Sequence, residues 1–95
     1  MPQDVRPRSI LVVDDDVGVL RLLRESLGTL ATCTVETSPS PEYAFEMALR
    51  QSFDLFIFDF SMPMVDGATL YGFIRLAYRY DGRVPARTLP PLLLL

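Results

Sequence analysis

Asp59 closes the apolar run Leu55-Phe56-Ile57-Phe58, and Asp14-Asp15-Asp16 closes a second run, Ile10-Leu11-Val12-Val13. Carboxylates at the ends of apolar strands are placed for chemistry, because in an open α/β sheet the tips of parallel neighbours converge on one crevice. Two negative charges about 4 Å apart repel by roughly 4 kcal/mol at an effective dielectric of 20. Four carboxylates in one small space therefore call for a cation, and the hard oxygen donors suit Mg²⁺. Close behind Asp59 comes Ser61-Met62-Pro63-Met64-Val65-Asp66-Gly67, a turn-forming stretch.

Other chemistry is scarce. All nine basic residues are arginine and the chain has no histidine, so a mechanism that uses lysine or histidine must take it from another molecule. Cys33 is the only cysteine, which rules out an internal disulfide and a cysteine-rich metal site, and its alternating segment marks it as a small core residue. The net charge of −3 gives no electrostatic reason to expect binding to nucleic acid or a membrane surface. Met1 to Arg8 has no apolar signal segment and reads as a flexible lead-in. No stretch approaches membrane-spanning length, so a cytoplasmic location is expected.

Ninety-five residues, 49% of them hydrophobic, suffice for one small domain, expected over 9–95. Residues 9–13 form a continuous apolar strand of the kind buried on both faces. Val17 to Leu30 follow as a helix with Val19, Leu20, Leu23, Leu27 and Leu30 on one stripe and Asp16 as N-cap. Thr32 to Glu36 read as a short strand. Ser40 then caps a helix that starts at Pro41 and buries Ala44, Met47 and Ala48. Residues 54–59 are a third strand, and after the loop Leu70, Phe73, Ile74 and Ala77 give the next helix an apolar face. A polar connection, Asp81 to Arg87, leads to Pro90 to Leu95 as a fourth strand, with Arg79, Arg83 and Arg87 expected on a solvated face. The alternation βαβαβα implies right-handed crossovers onto a parallel sheet. The final leucines would form an apolar sheet edge, prone to self-association or strand exchange.

Val12-Val13-Asp14-Asp15, Asp59 and Met62-Pro63-x-x-Asp66-Gly67, taken in that order, resemble the receiver domain of bacterial two-component response regulators. The resemblance covers essentially the whole chain. It implies a flavodoxin-like (CheY-like) doubly wound sheet of order 2-1-3-4-5, of which this chain would hold the first four strands and lack the fourth helix, fifth strand and fifth helix. Asp59 matches the phosphoacceptor, which takes a phosphoryl group from a histidine kinase or a phosphotransfer protein. The resemblance implies Mg²⁺ bound by Asp14, Asp15, Asp59 and the backbone carbonyl of Ser61. It also implies a supporting loop in which Gly67 has a positive φ and Asp66 caps a helix. The family's Ser or Thr at the end of the fourth strand and Lys at the end of the fifth have no counterpart, since Leu95 is the last residue.

Two other readings compete. Asp14-x-Asp16-x-Gly18 after an apolar strand is similar to the first motif of haloacid-dehalogenase-type phosphatases, with Asp14 as nucleophile and Asp16 as acid/base. A receiver-like interaction module that is never phosphorylated is the third. Uptake of one phosphoryl group marks the first reading, turnover of phosphate esters the second, and neither the third.

Overall fold

A computed structural model describes residues 6–30, 32–82, 84 and 87–95. The expected flexible lead-in falls mostly on residues 1–5, outside that set. The elements run β1 (Arg8–Val13), α1 (Val17–Gly28), β2 (Cys33–Ser38), α2 (Pro41–Arg50), β3 (Leu55–Phe58), α3 (Gly67–Tyr80) and β4 (Leu92–Leu94). The described strands form one parallel sheet in the order β2-β1-β3-β4, as expected for a sheet wound outward in both directions from β1.

Each strand's alternation sends successive side chains to opposite faces. Leu11 and Val13 of β1 join Phe56 and Phe58 of β3 beneath α2 and α3, with Ala44, Met47, Ala48, Leu70 and Ile74. Ile10, Val12 and Ile57 point the other way, against Leu20 of α1, and Cys33 packs at the margin of this second cluster. Leu11, Val12 and Val13 are completely buried, as the unbroken apolar run predicts. The Phe56 and Phe58 rings stack with centroids 5.1 Å apart, and Tyr71 meets Phe56 edge-on at 6.1 Å. Burying each phenylalanine stabilises the fold by about 2–3 kcal/mol.

Several boundaries differ from the sequence-based expectation. β2 runs on through Thr37 and Ser38, because Val12 and Val13 of β1 pair with them in register. Fully buried Ser38 is satisfied locally, its hydroxyl donating to the Ser40 carbonyl and accepting from the Ser40 N–H. α1 stops at Gly28, where the Thr29 hydroxyl takes up the Ser26 carbonyl and Leu30 N–H bonds back to Leu27. Leu30 is consequently exposed rather than on the buried stripe. β3 begins at Leu55, since the Asp54 carboxylate turns aside to accept the Ser9 N–H at 2.7 Å. Phe73 is half exposed, while Leu70 and Ile74 of the expected apolar face of α3 are buried.

Arg87 also departs from expectation. Rather than lying on a solvated face, it is partly buried and donates to the Leu49 carbonyl at the end of α2, while Arg79 is exposed and Arg83 lies outside the described residues. The Tyr71 hydroxyl donates to the Pro90 carbonyl at 2.6 Å. These bonds tie Arg87 and Pro90 to the helices, and the Phe56 N–H donates to the Pro91 carbonyl at the edge of β3.

Candidate metal and phosphoryl site

Register builds the site. Val13 of β1 lies opposite Phe58 of β3, so the residues one step beyond, Asp14 and Asp59, emerge side by side. The ladder continues through them, with the Asp59 N–H donating to the Val13 carbonyl at 2.8 Å and the Asp14 N–H to the Ser38 carbonyl at 3.2 Å. This is the point where strand order reverses around β1, the crevice in which open α/β sheets bind ligands. Asp14, Asp15 and Asp59 each place a carboxylate oxygen within 4.8 Å of the others.

The three carboxylates sit in different surroundings. Asp14 is 5% exposed, Asp59 is partly buried and Asp15 faces solvent. Burial pushes the Asp14 carboxyl above the usual carboxylate range, opposed by a hydrogen bond from the Asp16 N–H and reinforced by the charges of Asp59 and Asp15. Asp59 Oδ1 accepts the Ser61 N–H at 3.3 Å, which orients the carboxylate.

The donor set fits Mg²⁺. In octahedral coordination with oxygens at 2.0–2.1 Å, neighbouring ligand oxygens lie about 3 Å apart and opposite ones about 4 Å apart, close to the span of this cluster. A bound cation would relieve the carboxylate repulsion that adds to the effect of burial on Asp14.

Asp16 stands apart. Its Oδ1 accepts the N–H groups of Gly18 at 2.8 Å and Val19 at 3.3 Å, capping α1 as expected. A carboxylate committed to that cap is poorly placed as the acid/base of a phosphatase motif.

The loop after Asp59 corrects one expectation about Gly67. Its φ is not positive; among the described residues the left-handed conformation falls on Met64, at φ 73°. Glycine is required at position 67 for space. A Cβ there would collide with the Asp59 carbonyl oxygen and come within 3.0 Å of Phe58 Cβ and 3.1 Å of the Asp59 carbonyl carbon. α3 thus starts directly against the backbone of Asp59, an approach that no periodicity signals. Met62 is buried in the core and Val65 packs against it while Pro63 and Met64 are exposed, so the loop is held at two side chains.

Asp66 caps α3 as expected, its Oδ1 accepting the Thr69 N–H at 2.7 Å. Hydrogen bonds from the Thr69 backbone and then its side chain hold the Asp66 carboxyl below the usual range. Because the folded value is depressed, the stabilisation is present above the unfolded value, about pH 4, and is lost as pH falls through the folded one. Asp66→Ala should therefore lower the melting temperature at neutral pH, with the difference from wild type closing in acid; circular-dichroism melts across that range check this.

A parallel sheet wound both ways from β1, with three carboxylates at its switch point, defines a flavodoxin-like receiver. The chain belongs to the response regulator receiver domain family, whose family model matches residues 10–86, and so to two-component signalling. Among curated proteins it is 38% identical over 68 residues to the transcriptional regulatory protein RprY of Bacteroides fragilis, covering 72% of this chain and 28% of the relative. It is 35% identical over 65 residues to the probable transcriptional regulator ycf27 of Cyanidium caldarium, covering 68% of this chain and 26% of the relative. The matched region thus spans little more than a quarter of either regulator.

Solved structures share the fold. The chemotaxis protein CheY4 of Vibrio cholerae superposes with a TM-score of 0.76 at 24% identity, covering 93% of this chain and 67% of that one. The Saccharomyces cerevisiae complex of the histidine phosphotransfer signaling protein Ypd1 with the receiver domain of Ssk1 gives 0.79 at 15% identity, covering 97% of this chain and 65% of the matched one. No described helix is long and apolar enough to cross a membrane.

Proposed function

We propose that this domain is a cytoplasmic phosphoacceptor switch in which Asp59 takes one phosphoryl group from the phosphohistidine of a histidine kinase or phosphotransfer protein. The observation that carries the proposal is the convergence of Asp14 and Asp15 on Asp59 at the switch point. An Asp59 carboxylate oxygen attacks phosphorus, a P–O bond forms, the P–N bond to the donor imidazole breaks, and that nitrogen leaves with the electron pair. With no histidine or lysine in the chain, the donor group must come from the partner. A yeast receiver joined to its phosphotransfer protein is a structural precedent for such a pairing.

Asp14, Asp15, Asp59 and the Ser61 carbonyl would hold Mg²⁺. Bound there, the ion would neutralise charge between the acceptor and the incoming phosphoryl oxygens. The Ser61 N–H orients Asp59. The Ser61 side chain, two residues past the acceptor, borders the phosphoryl position and influences how long the group survives. Met62, Pro63, Asp66 and Gly67 support the acceptor from below. The product is a stoichiometric aspartyl phosphate, and slow loss of the group is the most turnover expected. Phosphorylation adds charge and strong acceptor oxygens at the strand tip, the usual means of biasing a two-state element.

Intact-mass measurement after incubation with Mg²⁺ and acetyl phosphate tests the assignment, together with a beryllofluoride titration. One phosphoryl adduct is expected on wild type and none on Asp59→Asn. Labelling of that variant under the same conditions would move the acceptor elsewhere. Continuous phosphate release would favour a phosphatase, and neither adduct nor Mg²⁺-dependent binding would favour a receiver-like module that is never phosphorylated.

A further inference from the structure

We draw no further inference here: the strongest candidate, the apolar groove between α2 and α3 lined by Phe45, Phe73, Leu76 and Tyr80, carries none, because nothing in the structure shows what covers it.

Discussion

Gly67→Ala is expected to lower stability by about 3 kcal/mol and the melting temperature by roughly 10–20 °C. Helix propensity alone argues the other way, because alanine is favoured over glycine in a helix by about 1 kcal/mol. Sterics decide, since the added methyl meets the carbonyl of Asp59 and the β-carbon of Phe58, parts of a strand held on both sides by the sheet. Neither can retreat without breaking the ladder or shifting Met62 and Leu70 in the core. The same displacement moves the acceptor, so phosphoryl uptake should fall along with stability. Gly72→Ala is the internal control. That glycine lies inside α3 with nothing within 4 Å of where a methyl group would sit, and its replacement should be neutral or stabilising by up to about 1 kcal/mol. Thermal melts of the two variants, with an adduct measurement on each, check the contrast; equal behaviour would mean that α3 does not start against Asp59 as described.

Asp14→Asn should act on stability and on metal binding in opposite directions. Without metal, a carboxylate that is 5% exposed faces two others within 4.8 Å, so the folded state carries repulsion that the unfolded chain does not. The amide keeps the shape and can still accept the Asp16 N–H, so the variant loses the charge and retains the hydrogen bond. In a chelator-treated buffer it should be more stable than wild type by on the order of 1 kcal/mol, a rise of about 4–8 °C. Adding Mg²⁺ should stabilise wild type by mass action and the variant far less, because a lost carboxylate ligand weakens binding at least about tenfold. Melting temperatures with and without Mg²⁺ for the two proteins decide it. A variant less stable than wild type in chelator would show that Asp14 is there for packing rather than for a cation.

Much of the architecture is legible in the residues alone, for local reasons. Two unbroken apolar runs that end in aspartates identify buried parallel strands, and Asp16, Ser40 and Asp66 are legible as caps because a short oxygen side chain before a helical stripe has a local job. The order of elements and a parallel sheet follow from that pattern and the handedness of crossovers, while the reversal of the sheet around β1 and the convergence of Asp14, Asp15 and Asp59 are implied by the resemblance to receiver domains.

What the amino acids could not announce is decided between elements distant in sequence. β2 extends through Ser38 because β1 offers Val13 as a partner, whereas Ser38-Pro39-Ser40-Pro41 reads locally as the start of the second helix. Arg87 looks like a solvated cation until the path of the chain brings it to the carbonyl at the end of α2. Phe73 and Leu76 belong to an apolar stripe wider than the sheet can cover, so only packing decides that Ile74 and Leu70 are buried and the others line a groove. Gly67 shows the limit most clearly: its type is visible in the sequence, but the reason for it is the backbone of Asp59 pressed against it, a contact that exists only once β3 and α3 are folded together.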